Sequence, residues 1–481
     1  MTRTTIAATA SMFFVLAGCT DATSPRGLAV SQTDTAAMAV EAARAKNVIL
    51  FIGDGMGVST VTAARIYDGQ SRGETGEENV LSFERLPSTA IVKTYNTNQQ
   101  VSDSAGTATA MTTGVKTRAG VLNVGPSVQR GNCAQGQAGT LRTIGEELAE
   151  RGKAIGIVST ARLTHATPAA VYGHTPERDW ESDSDVPATE TEAGCTDLAR
   201  QMLDFPFHVA LGGGSAPFYG NNGGGNRTIA AADLPADWAA RTGGHIVTTR
   251  AELAVLPNDD APVLGLFSPS HMQFMLEKAL PENVDRDEPT LTEMTTTALS
   301  RLGNDPDGYF LMVEGGRIDH GHHAGRAALA LSETQEFARA VQATLNTVDL
   351  SETLVLVTAD HSHVFTMAGY PTRGNPILGL VRGNDRQGEP DAEVAVARDG
   401  QPYTTLGYAN GPGAIGAGPR QAPDTQGAAV QQALIPTGSE THGGEDVVLY
   451  AAGPGSDQVR GVIEQNRIHA IMMRALGLIG D

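Results

Sequence analysis

The chain has 481 residues, enough for about three domains at ~150 residues each or for one large α/β domain with insertions. Its 40% hydrophobic content excludes general disorder. Thirty-four basic against fifty-four acidic side chains leave a net charge of −20, and no basic stripe offsets it, which excludes nucleic-acid binding as such.

The chain opens with Arg3 and a mostly apolar run from Ile6 to Gly18. That run is too short to span a bilayer and reads as a secretory signal over residues 1–18. Leu16-Ala17-Gly18-Cys19 resembles a bacterial lipobox, in which Cys19 would be acylated; a plain signal peptide cleaved nearby is the alternative. Residues 19–46, rich in Ala, Thr and Ser, read as a tether. The expectation is an exported, envelope or periplasmic protein held to a membrane only by a lipid. In an oxidising compartment Cys133 and Cys195 would pair, two free buried thiols being the alternative.

Asn47–Ile52 is a short continuous apolar run, the pattern of a strand buried on both faces. Similar runs recur at Ala154–Val158, Val209–Leu211, Tyr309–Val313, Thr353–Val357 and Val447–Ala451, with helical stretches between several of them, such as Thr140–Arg151 and Thr290–Leu302. Alternation of this kind predicts an α/β fold, a largely parallel central sheet with helices on both faces. Ligands in such sheets bind at the carboxyl ends of the strands.

Polar residues stand at those ends. Asp54 follows the first run, Glu314 follows Val313, Asp360-His361 follows a third, and His442 lies just before the last. Taken singly, each could be a cap or a satisfied core residue. Gathered at one sheet edge, the three carboxylates would repel one another unless cations lay among them. Ile318-Asp319-His320-Gly321-His322-His323 adds imidazoles, and Asp319 and His323, four apart, would share one helix face. An oxygen–nitrogen donor set suits zinc and an all-oxygen set suits magnesium. Ser104, in Val101-Ser102-Asp103-Ser104-Ala105-Gly106-Thr107, reads as a residue at a helix start, where backbone amides favour anions.

Three segments, Asp103–Thr109, Val313–His323 and Thr358–His361, together resemble the alkaline phosphatase family, from about Lys46 to the C-terminus. The resemblance implies hydrolysis of phosphate monoesters to alcohol and inorganic phosphate through a phosphoserine on Ser104. It implies two Zn2+ and one Mg2+ per subunit. Asp319, His323 and His442 match the first zinc and Asp54, Asp360 and His361 the second. Asp54, Thr167 and Glu314 match the magnesium. Arg178 matches the arginine that clamps phosphate as a planar fork. Residues 47–481 would be the catalytic domain, with a Gly- and Pro-rich, crown-like insert at about 362–438 that implies a homodimer.

His165 and His320 stand where the best-known enterobacterial type carries Asp and Lys; with Trp180 nearby they resemble the animal enzymes. His320 is expected to reach phosphate through water, and a neutral imidazole at 165 to weaken magnesium retention. Ser268, after Gly265-Leu266-Phe267, replaces a carboxylate of the peripheral calcium site of animal relatives, for which Glu288 matches another ligand. A phosphodiesterase of the same superfamily would share the zinc ligands but lack the Arg178 clamp, and a metal-binding lipoprotein would have no need of Ser104.

Overall fold

The computed structural model describes residues 44–480 apart from 258, 284–286 and 417. The signal segment, Cys19 and most of the tether lie outside the described residues. Among those described, no helix is long and apolar enough to cross a membrane.

Eight strands come first along the chain: β1 Asn47–Gly53, β2 Ser88–Lys93, β3 Ala154–Arg162, β4 Val209–Gly213, β5 His245–Val247, β6 Val263–Leu266, β7 Tyr309–Gly315 and β8 Thr353–Ala359. Five short ones follow: β9 Ser362–His363, β10 Phe365–Met367, β11 Leu406–Gly411, β12 Ala433–Pro436 and β13 His442–Gly443. The last two are β14 Val447–Ala452 and β15 Arg460–Glu464. Ten of them build one sheet in the order β15-β2-β14-β8-β1-β7-β3-β4-β6-β5.

The sheet is parallel except at β14, which runs antiparallel to both β2 and β8. β1, β7 and β8 are buried along their whole length, so both faces of the sheet are covered, as continuous apolar runs require. Helices Val58–Ser71 and Leu291–Leu302 pack on the long helix Ala327–Thr347, while Arg467–Ala475 packs on Ser104–Thr113.

Every expected strand is present, and each continues beyond the apolar run. β3 reaches Arg162, β7 reaches Gly315 and β8 reaches Ala359, which carries the sheet up to the polar residues at its edge. The expected helix over 140–151 is shorter, Ile144–Ala149. Thr143 and Glu146 form a reciprocal capping box there, which places the helix start four residues later than expected.

Register explains why the carboxylates meet. Gly53 lies opposite Gly315 on one side and Ala359 on the other, so Asp54 and Asp360 leave adjacent strands at one level, with Glu314 beside them. Because β14 is antiparallel, its beginning lies at the same edge. His442, just upstream in β13, pairs with His363 of β9.

Between β9 and β13, β10, β11 and β12 form a separate small sheet. This region exposes Tyr370 (95%), Leu434 (74%) and Ile435 (54%). Cys133 and Cys195 are joined as a disulfide, which closes the free-thiol alternative. The bridge closes a long loop that contains His165, Thr167 and Arg178.

Candidate metal centre and nucleophile

Asp319 and His323 sit on the helix Arg317–His323, and the four-residue spacing brings His323 Nε2 to 3.2 Å from Asp319 Oδ1. His442 Nε2 is 3.4 Å from the same oxygen and 3.1 Å from His323 Nε2. A tetrahedral ion with ligands at about 2.0–2.1 Å spaces its donors about 3.3–3.4 Å apart. These three atoms come within about 0.3 Å of that spacing.

The backbone selects their tautomers. His323 Nδ1–H donates to the Glu440 carbonyl at 2.6 Å and His442 Nδ1–H to the Ser102 carbonyl at 2.8 Å. Each histidine therefore turns an Nε2 lone pair toward Asp319.

A second set lies beside it. His361 Nε2 is 3.4 Å from Asp54 Oδ1 and 3.2 Å from Asp360 Oδ2. Ser104 Oγ stands 3.2 Å from the same nitrogen, in the position of a fourth donor. Ser104 opens the helix Ser104–Thr113, capped by Asp103 through the Gly106 N–H. The other Asp103 oxygen accepts from Gly120 N–H at 2.9 Å and from Arg178 Nη1 at 3.1 Å. One carboxylate thus fixes both the serine and the arginine.

A third group joins Asp54, Glu314 and His165. Ser159 donates to Glu314 Oε2, and Thr167 Oγ1 faces the carboxyl without a well-formed hydrogen bond. Both oxygens of Asp54 and Glu314 Oε1 are buried with no hydrogen-bond partner, an arrangement that is costly unless a cation completes it.

Electrostatics agree. Burial, reinforced by Asp360, Asp319 and Glu314, pushes Asp54 well above the carboxylate range. Burial also raises Glu314 to about 7 and lifts Asp360. Burial would raise Asp319 too, but the surrounding His323, His363 and His442 hold it well below the ordinary value. The residues fit divalent cations: three carboxylates that resist ionisation together, beside His165 and His361, whose burial keeps those imidazoles neutral.

All the sequence-predicted ligands converge here. The histidine-rich run divides by function: His323 turns to Asp319, His320 accepts from Arg317, and His322 bonds Thr60 and Tyr408 in the interior. His165 Nε2 lies 3.1 Å from Arg178 Nη2, and burial, with Arg178 beside it, keeps this imidazole neutral.

Two buried residues escaped sequence reasoning. His363 lies 2.8 Å from Asp319 Oδ1 through Nε2 and 2.6 Å from Glu440 Oε2 through Nδ1. Burial alone would lower its pKa, but the Asp319 and Glu440 bonds raise it to about 9. The available signal was the two-residue step from His361 to His363, which returns the chain to the same side of the edge. Ser268, expected from the sequence to replace a calcium-site carboxylate, donates its hydroxyl to the Ser270 carbonyl at 2.7 Å. Glu288 accepts the Gln273 N–H at 2.8 Å, with Lys278 Nζ at 3.8 Å.

The family model for alkaline phosphatase matches residues 45–478. The chain is 43% identical over 455 residues to the tissue-nonspecific alkaline phosphatase of Gallus gallus, covering 90% of this chain and 84% of that one. It is 41% identical to the Homo sapiens isozyme, covering 90% and 83%. The alkaline phosphatase structure from Thermus thermophilus superposes with a TM-score of 0.66 at 24% identity, covering 91% of this chain and 92% of that one. That from the Antarctic bacterium TAB5 gives 0.62 at 22%, covering 91% and 99%. The chain belongs to the alkaline phosphatase family and hydrolyses phosphate monoesters.

Proposed function

We propose that Ser104 is the nucleophile, with Asp319, His323 and His442 holding one zinc ion and Asp54, Asp360 and His361 a second. Asp54, Thr167 and Glu314 hold magnesium, so that Asp54 belongs to two sites. Bound there, the cations cancel the charge of carboxylates and substrate dianion and acidify the hydroxyl and water they hold.

Arg178, kept in place by Asp103 and His165, grips two non-transferred phosphate oxygens as a planar fork. Ser104 Oγ then attacks phosphorus, the P–O bond to the alcohol breaks, and the alcohol departs with a proton. Water attacks the resulting phosphoserine from the vacated side, which frees Ser104 and releases inorganic phosphate. His320 reaches the bound phosphate through water. Positioning and charge compensation supply most of the rate, as expected for a loose phosphoryl transition state.

The observation that carries this reading is the Ser104 hydroxyl at 3.2 Å from His361 Nε2, beside Asp54, whose two buried oxygens have no hydrogen-bond partner among the described residues. Ser104→Ala is expected to lose at least about a thousandfold in turnover of p-nitrophenyl phosphate while retaining bound metal and inorganic phosphate. Turnover at the parent rate refutes it, and faster cleavage of the bis-ester than of the monoester would mark a diesterase.

The disulfide supports an exported protein, anchored through acylated Cys19; a mature N-terminus without lipid by mass spectrometry would refute the anchor. The exposed apolar side chains of the insert support a homodimer. Light scattering should give ~100 kDa, and a species matching the 50.1 kDa chain would refute it.

A further inference from the structure

Arg317 begins the helix that carries Asp319 and His323. Its guanidinium lies 3.6 Å over the Phe274 ring, and its Nε is buried without a hydrogen-bond partner. A guanidinium so placed gives up much of its hydration. Stacking on Phe274 offsets part of that cost, and among the described residues the guanidinium makes a directed hydrogen bond from Nη1 to His320 Nδ1 at 3.1 Å.

That contact has a single chemical reading. Arginine has five N–H donors, no acceptor, and does not lose its proton in a protein. His320 Nδ1 must therefore present a lone pair, and the ring proton of the neutral imidazole must reside on Nε2. The ring is also confined sideways. His271 lies against it at 4.0 Å between centroids, and His271 is itself bonded to Arg162, whose guanidinium makes two bonds to Glu181. The His320 ring also stands 5.8 Å from that of His165, which lies 5.4 Å from His271 and touches the Arg178 clamp.

We infer that Arg317 is a positioning residue: it holds His320 in one orientation as the Nε2–H tautomer, so that this histidine offers a hydrogen-bond donor beside the phosphate clamp. The consequence for phosphate rests on the water-mediated role of His320 proposed above. A phosphate dianion and the water bound to it present lone pairs, so a donor at this place attracts and an acceptor repels. Loss of Arg317 frees the ring to turn and to offer Nδ1 instead.

The test uses the full-length, metal-loaded enzyme with inorganic phosphate as the probe. Nitrogen-15 spectra of the histidine side chains, with His320 assigned by His320→Ala, should show one tautomer protonated at Nε2. Arg317→Met, which keeps the bulk over Phe274, should produce a mixture, and Arg317→Lys, which keeps a donor, should restore the single form. His320→Ala should raise the phosphate inhibition constant about tenfold, the weight of a hydrogen bond to a charged group. Arg317→Met should raise it by a similar factor in the parent and by less than about twofold in the His320→Ala background. A proton on Nδ1 in the parent, or equal effects of Arg317→Met in both backgrounds, overturns the inference. If instead His320→Ala leaves phosphate inhibition unchanged while the spectra show the Nε2–H form, the tautomer assignment stands and the phosphate role of His320 falls.

Discussion

Glu314 offers a test in which stability and metal binding move in opposite directions. Its carboxyl is fully buried at the end of β7, and burial raises its pKa to about 7 from an ordinary 4.5. In the unfolded chain the group ionises near 4.5. Between those values the metal-free folded state binds more protons than the unfolded one, so stability falls as pH rises and the full penalty is present above about pH 8. A rise from 4.5 to about 7 corresponds to roughly 3 kcal/mol of stability. Glu314→Gln removes the ionisation while an amide oxygen can still accept from Ser159. The metal-free variant should therefore exceed the metal-free parent in stability by about 3 kcal/mol at pH 8.5, falling below about 1 kcal/mol at pH 5. Buried His165 and His361, whose pKa values burial depresses, cost both proteins stability below about pH 6.5, and the difference taken at each pH removes them. Urea unfolding in chelator at the two pH values measures the gap. With magnesium and zinc restored, the order should reverse, because the variant gives up a charged donor of the third group. If the metal-free variant gains nothing at pH 8.5, the claim that this carboxyl is held at a cost for the sake of a cation is wrong.

Replacing Cys133 and Cys195 by serine releases a loop with a sequence separation of 62, and the chain-entropy relation puts the loss near 4 kcal/mol; an unfolding midpoint in urea unchanged from the parent refutes it. Dialysed enzyme should gain activity when magnesium is added, because His165 brings no negative charge to the third group, and His165→Asp should reduce that gain; full activity after dialysis with no response to magnesium refutes the argument. Asp103→Ala should cost about 1 kcal/mol in stability through the lost helix cap and raise the phosphate inhibition constant several-fold by freeing Arg178. An unaltered constant would show that Asp103 does not hold the clamp.

The parallel core was legible because buried strands are written as continuous apolar runs: β1, β7 and β8 are buried at every position. β2 and β15 were not, since β2 alternates buried and exposed positions and β15 lies at the sheet edge largely open to solvent. The carboxylates of the candidate metal centre stood out in the sequence for a related reason. A strand end must turn polar somewhere, and a carboxylate placed there in three separate strands has no packing rationale. What the sequence could not show is the support beneath them. Arg317 and His320 are three residues apart, yet their contact depends on Phe274 and His271 arriving from another part of the chain. Asp103 reads as a helix cap, and only the fold brings Arg178 onto its second oxygen.

The position of His442 shows why strand direction mattered more than strand count. A sixth parallel strand would have left a residue preceding it at the opposite edge of the sheet, a full strand length from Asp319. The antiparallel course of β14 reverses this, and the two-residue pairing of β13 with β9 sets His442 opposite His363. That pairing also accounts for Glu440. Two residues before His442, it bonds His363 with its carboxylate and accepts from His323 with its carbonyl. A single segment, Glu440 to His442, therefore supplies one proposed ligand, His442, orients a second, His323, and braces the histidine behind a third, Asp319. Insertion of one residue between Glu440 and His442 should consequently empty the Asp319 site while leaving the disulfide and the sheet intact. Retained zinc stoichiometry in such a variant would show that the site tolerates this slip and that the bracing argument is mistaken.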